Sequence, residues 1–286
     1  GRLFKDYTPN KSNRMMKAEE LKLIVKDKYA QIASKKQSGN QSCCCGGAGC
    51  CDDTDYVIFS GDYAGLEGYN PEADLGLGCG LPTEFAGIKK GDHVLDLGSG
   101  AGNDCFVART LVGEEGRVTG LDFTDAMLEK AALNLKSTGF TNIDFVKGDI
   151  EDIPVPDNTY DVVISNCVLN LVPDKRKAFG EIFRVLKPGG HFCISDIVLE
   201  GSLPDQIKEA AEMYTGCVSG ALQKQEYLAI IREEGFTGMV IHEERQTVIP
   251  YDMLAKYLTT DEIESFSQDD SGIFSITLNA EKPESE

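Results

Sequence analysis

From Asp92 onward the chain alternates short β-branched runs with helix-length amphipathic runs, and this rhythm constrains the fold more than any other feature. Residues 93–97 (HVLDL), 117–122 (RVTGLD), 143–149 (IDFVKGD), 161–165 (DVVIS) and 191–198 (HFCISDIV) read as five strands. Residues 104–111, 124–138 and 175–186 read as helices, the second with Thr124 as its N-cap and the third stopped by KPGG (187–190). Strands alternating with helices at this spacing predict a parallel, doubly wound sheet.

The flanks read differently. Residues 16–33 place Leu21, Ile24, Val25, Tyr29 and Ile32 at helical spacing, an amphipathic helix expected to pack on the main unit. Residues 36–55 are loop by composition, and 56–90 are punctuated by Gly, Pro and Asp. After Gly201 the pattern predicts helices over 204–214, 223–234 and 251–258. Strands over 238–248 and 272–280 are expected to pair antiparallel at the sheet edge. The expected organisation is therefore an N-terminal helix with a cysteine-rich segment (1–68), a central α/β unit (69–200) and a C-terminal unit of helices and edge strands (201–286).

Composition narrows the function. With 286 residues and 41% hydrophobic content the chain can bury a sizeable core, and a net charge of −19 argues against nucleic-acid binding, which requires cationic surface. No stretch approaches 18 apolar residues, so no membrane span is expected. The first sixteen residues lack the apolar centre of a secretory signal. Ten cysteines in an α/β chain of this kind suggest a reducing, cytoplasmic location, with thiols used for packing, metal or catalysis.

Two constellations carry chemistry. VLDLGSGAG sets Gly98, Gly100 and Gly102 between a strand and a helix, where glycine permits a tight turn and close approach to a ligand. A dinucleotide loop would place glycine at 103, where this chain has Asn103. Asp122 ends the next strand, where a carboxylate suits two ribose hydroxyls. The second constellation is sulfur. Cys79 and Cys217 lie between glycine-flanked breaks, and Cys167 follows the fourth strand, at the edge where ligands bind in such sheets. Cys105 and Cys193 sit inside a helix and a strand and read as core filling.

The glycine loop with its acid, KGDIED (147–152) and KPGG resemble the S-adenosylmethionine-dependent methyltransferases of Rossmann-like class I. The segments DLGLGCGLP, LDLGSGAGNDCF, SNCVLNLVPDK and TGCVSGAL run in order between about Tyr69 and Gly220, and they resemble the microbial arsenite methyltransferases. That resemblance implies a doubly wound, mostly parallel sheet with an antiparallel edge, a helical N-terminal extension and a C-terminal helical insert. It implies As(III) bound by Cys79, Cys167 and Cys217. It also implies S-adenosylmethionine held by Asp96, Gly98, Ser99, Gly100, Asp122, Phe123, Met127, Asp149, Ile150 and Asn166. Vertebrate members carry paired tyrosines before the first cysteine, where this chain has Leu77 and Gly78.

The chemistry is coherent with those residues. A free thiol titrates near ~8.5, and a soft, thiophilic ion drives its deprotonation. Three sulfurs leave the arsenic lone pair directed away from them, free to take a methyl group without a general base. That suits a chain with three histidines and no HExxH. Methylation formally oxidises arsenic, so thioredoxin or glutathione is expected as reductant, and the partners are arsenite or its thiol conjugates acting on a monomer. Cys43, Cys44, Cys45, Cys50 and Cys51 are spaced too closely for a zinc cage, and they read either as an arsenite-capturing segment or as a flexible loop. Two alternatives stay open: a C- or O-methyltransferase of the ubiquinone/menaquinone type, and a thiol metal-binding protein without catalysis.

Overall fold

The computed structural model describes residues 11–34, 63–201, 218, 220–247, 251–255, 259–267 and 271–284. Seven strands form one sheet: β1 (His93–Leu97), β2 (Arg117–Asp122), β3 (Ile143–Lys147), β4 (Tyr160–Asn166), β5 (Leu186–Glu200), β6 (Thr237–Gln246) and β7 (Gly272–Glu281). Their spatial order is β3-β2-β1-β4-β5-β7-β6. The first five run parallel, while β7 pairs antiparallel with both β5 and β6, so the expected antiparallel edge is present.

Period-two alternation sorts the strand residues between two cores. Leu95, Leu97 and Val163 face a layer built from α5 (Lys175–Val185) and α6 (Lys224–Glu233), where Phe179, Ile182, Tyr227 and Ile231 are fully buried. Val94, Val162 and Ile164 face the opposite way, toward α3 (Asn103–Val112) and its Cys105, Phe106 and Ala108. Cys105 and Cys193 are wholly buried in this second core, as their core-filling reading anticipates. On that side lie also α2 (Pro82–Phe85) and α4 (Asp125–Thr138).

Several local expectations need correction. KPGG ends α5 as anticipated, but the strand begins at Leu186 rather than 191. The register shifts between Tyr160 and Val162, where one residue of β4 stands against residues 187–190, so the proline and glycines bulge out of the β4–β5 pairing within β5. Thr124 occupies the N-cap of α4, yet its hydroxyl makes no cap bond. The Asp122 carboxylate takes the Thr124 N–H instead, at 2.8 Å. Helix α1 (Lys11–Ser34) packs on α4 as expected, but not by the face the apolar spacing suggests. Val25 is buried while Leu21 and Ile24 are exposed, because Lys22, one turn before Lys26, docks the helix through ion pairs. Helix α8 (Thr260–Ser267) lies where no element was expected, after α7 (Tyr251–Leu254). The helix expected over 204–214 falls outside the described residues.

Candidate active site

The sheet order reverses between β1 and β4, and the segments leaving the carboxyl ends of these two strands meet there. Leaving β1, the backbone N–H groups of Gly98 and Ser99 both donate to the Leu121 carbonyl, at 2.8 and 2.9 Å. Gly98 has φ +70°, and a Cβ there would stand 2.5 Å from the Val168 side chain. The glycine loop is therefore pressed flat against the segment that follows β4. Cys167, the first residue of that segment, adopts φ 59°, a left-handed conformation rare outside glycine, and its N–H donates to the Ser195 carbonyl at 2.8 Å.

A cavity of about 1130 Å³, its open mouth included, runs along this edge. Gly98, Ser99, Gly100, Asp122, Phe123, Met127, Asp149, Ile150 and Asn166 all line it, as does Cys167. Asp96 does not. It lies behind the loop, 2% exposed, and its carboxylate accepts the Cys105 S–H at 3.2 Å. Asp122 accepts the Gly100 N–H at 3.0 Å through its second oxygen. Burial raises the Asp122 carboxyl, against the lowering effect of the Thr124 and Gly100 N–H groups. The Ser99 hydroxyl, which lines the cavity, is buried with no hydrogen-bond partner among the described residues, and the Thr124 side chain helps lower the Asp122 carboxyl.

Three further residues at the cavity, Lys22, Tyr63 and Asp104, escape a reading from sequence. Lys22 reaches in from α1 and pairs with Asp149 at 2.6 Å and with Glu151, while Val25 and Tyr29 form part of the wall. Tyr63 donates to Asp104 at 2.8 Å, and the Asn166 amide donates to Tyr63 at 2.7 Å and to Asp104 at 3.3 Å. Burial pushes the Asp104 carboxyl up to about 6, opposed by these two donors. Among the described residues no ion pair engages Asp96, Asp104 or Asp122. The acid at 104 has a local signature, a carboxylate in the first turn of the helix after a glycine loop. Lys22 has none, since its partners are 127 and 129 residues away.

Sulfur converges at the inner end of the site. The Cys79 and Cys167 sulfurs and an Asp196 carboxylate oxygen lie within 4.8 Å of one another, all three residues buried. Ile197, Leu199, Leu254, Ile263 and Ile273 enclose them in an apolar cluster. Asn166 holds the Cys79 loop by accepting the Cys79 N–H at 2.9 Å and donating to the Gly80 carbonyl at 3.0 Å. Ser275 of β7 donates to the Cys79 carbonyl from the other side. Asp196 is pushed up to about 7 by burial, opposed by Lys175, by the Ile197 and Asn170 N–H groups and by the Tyr227 hydroxyl at 3.1 Å. Cys217 and Cys43, Cys44, Cys45, Cys50 and Cys51 lie outside the described residues. Val218, next in the chain to Cys217, is buried in the same cluster as Cys79 and Cys167. An acid inside the otherwise uncharged core of HFCISDIV was the available signal for Asp196.

Residues 88–235 match the methyltransferase domain family. The arsenite methyltransferase of Halobacterium salinarum is 38% identical over 263 residues, covering 86% of this chain and 66% of that protein. The arsenite methyltransferase of Aquipseudomonas alcaligenes is 38% identical over 188 residues, 63% of this chain and 54% of that protein. The chain thus spans between half and two thirds of the length of these curated relatives. Among solved structures, an arsenic(III) S-adenosylmethionine methyltransferase from Chlamydomonas reinhardtii superposes with a TM-score of 0.61 at 35% identity, over 72% of this chain and 68% of that one.

Proposed function

Because this chain belongs to the methyltransferase domain family and, within it, to the arsenic(III) S-adenosylmethionine methyltransferases, we propose that it methylates arsenite held by cysteine sulfur, a detoxifying reaction. The observation that carries this reading is the buried Cys79–Cys167 pair, of which Cys167 lines the same cavity as the glycine loop.

The residues present fit the methyl donor. The Asp122 carboxylate lines the cavity where it could meet a ribose diol, and the partnerless Ser99 hydroxyl offers a polar contact inside the wall. Asp149 and Ile150 would take the adenine, and the acids at 104 and 122 give the cavity the sign a cationic ligand requires. When bound, S-adenosylmethionine supplies an electrophilic methyl group to the arsenic lone pair.

What the protein does is hold and exclude. Asn166 and Ser275 fix the Cys79 loop, the left-handed turn at Cys167 sets the second sulfur opposite it, and the apolar cluster keeps water from both. Such positioning can supply up to ~7–11 kcal/mol of a barrier. Cys217 is the third sulfur on this reading, supported by the burial of its neighbour Val218 against the pair. Cys43, Cys44, Cys45, Cys50 and Cys51 would capture arsenite for delivery. Residues 69–200 carry the donor site, flanked by the segments 1–68 and 201–286. Thioredoxin or glutathione would return arsenic to the trivalent state, with the protein acting as a cytoplasmic monomer. Among the described residues no helix is long and apolar enough to cross a membrane.

Arsenic speciation by chromatography with mass detection tests the proposal. The parent with arsenite, S-adenosylmethionine and thiol should yield methylated arsenic, and Cys167→Ser and Cys217→Ser should not. No product from a parent that binds the donor would refute arsenite as the substrate.

A further inference from the structure

Asp196 is the third group of the sulfur cluster, and the arsenite reading leaves it without a task. It sits on β5, fully buried, with its oxygen within 4.8 Å of both the Cys79 and Cys167 sulfurs. Burying an acid in an apolar cluster is costly unless its charge is used or compensated. Its compensation here is oriented rather than neutralising. The Ile197 N–H at 3.0 Å and the Tyr227 hydroxyl at 3.1 Å fix the carboxylate, and Tyr227 is itself locked by edge-on packing against Phe179. Lys175 acts on it electrostatically but makes no ion pair with Asp196 among the described residues, and its amine donates to the Val172 carbonyl at 3.5 Å. Glu226 also acts on that lysine.

Charge moves during the reaction proposed above. As the arsenic lone pair forms the new C–As bond, the C–S bond of the donor breaks and its electron pair returns to sulfur. The donor becomes neutral and the positive charge passes to arsenic, which is bound to the cysteine sulfurs. No proton is exchanged. A fixed, desolvated carboxylate beside those sulfurs faces the atom where charge appears, and it has less to attract in the neutral trivalent complex. Groups aimed at developing charge in a dry site accelerate the step itself rather than binding.

We infer that Asp196 stabilises the positive charge that forms on sulfur-bound arsenic during methyl transfer, an assignment that rests on the arsenite reading. The test compares the parent with Asp196→Asn, which keeps the shape and removes the charge. Arsenite and S-adenosylmethionine affinities are measured by calorimetry, and single-turnover methyl transfer by rapid quench, above the titration range of the carboxyl. The expected result is a methyl-transfer rate lowered on the order of 100-fold, with both affinities within about threefold of the parent. An unchanged rate overturns the assignment. So does a parallel loss of arsenite affinity, which would make the carboxylate a ligand, or a loss confined to arsenite loading, which would make it a proton acceptor for the thiols. If Asp196→Asn does not fold, Tyr227→Phe carries the test. It leaves the carboxylate but removes a donor that fixes it, so a lowered methyl-transfer rate with both affinities kept supports the assignment and an unchanged rate overturns it. Failure of the parent to methylate arsenite while binding it would refute the proposed function instead.

Discussion

The Asn166 side chain ties the two cysteines together: its oxygen accepts the Cys79 N–H at 2.9 Å, while its own backbone leads directly into Cys167. Its amide nitrogen is occupied by Tyr63, Gly80 and Asp104. The side chain therefore acts on the sulfur geometry more than on the donor. Asn166→Ala should weaken arsenite binding by roughly 10- to 100-fold, the usual cost of losing a group that orients a ligand. Donor affinity should change much less. Calorimetric titration of both ligands decides it, and an unaltered arsenite affinity would show that Cys79 is held by other contacts.

Helix α1 closes one wall of the donor cavity, with Lys22 as the latch on the cavity side. Lys22 is partly buried between Asp149 and Glu151, and although burial works against its charge, those two carboxylates raise its pKa. Lys22→Met should free the wall that carries Val25 and Tyr29. S-adenosylmethionine affinity should fall about fivefold, roughly 1 kcal/mol for an ion pair of this exposure. Equal affinities in the two proteins would mean that α1 contributes nothing to donor binding.

The two glycines of the donor loop should differ in tolerance. Both have positive φ, +70° at Gly98 and +52° at Gly100, so alanine carries a cost of about 1–2 kcal/mol at either. At Gly98 the new Cβ also meets the Val168 side chain at 2.5 Å, whereas at Gly100 the nearest atom is 4.0 Å away. Denaturant titration should rank Gly98→Ala as the less stable variant, and donor binding should fail in it first. The reverse order would contradict the close packing of loop and Cys167 segment.

Stability should respond to Asp104 with a definite sign. Its carboxyl lies at about 6 in the folded protein against 3.8 in a free chain, raised by burial and by Asp74, and opposed by Tyr63 and Asn166. Between those values the folded state binds more protons than the unfolded one, so stability falls as pH rises from roughly 4 to 6. Asp104→Asn removes that titration and should flatten the decline. Thermal melts across this range would show it, and parallel pH profiles would mean that the group is solvated.

The strands of the central sheet were legible because each is an apolar run with a period of two, bounded by glycine, proline or acid. The donor loop was legible because its glycines answer a backbone need that local sequence records. Cys167 was expected at the cavity because a strand that stops at the switch point delivers its next residue there, whereas its grouping with Cys79 came from the resemblance to the arsenite methyltransferases. Tertiary contacts hid the rest. The apolar spacing in α1 marks Leu21 and Ile24, yet an ion pair to residues more than a hundred positions away chooses the Lys22 face. Asp196 reads as a blemish in a strand until β4 and the Cys79 loop are laid beside it. Asp96 belongs to the loop motif, but the thiol of Cys105 draws its carboxylate away from the cavity.

The second core holds sulfur as well, and its chemistry is opposite. Cys105 is held protonated by burial and by the Asp96 carboxylate that accepts its S–H, and burial likewise raises Cys193 well above the ordinary thiol range. Neither presents a thiolate, and neither touches solvent. On the arsenite reading, a thiophilic substrate meets exposed or cavity-lining sulfur only, and these two bystander thiols stay out of its reach.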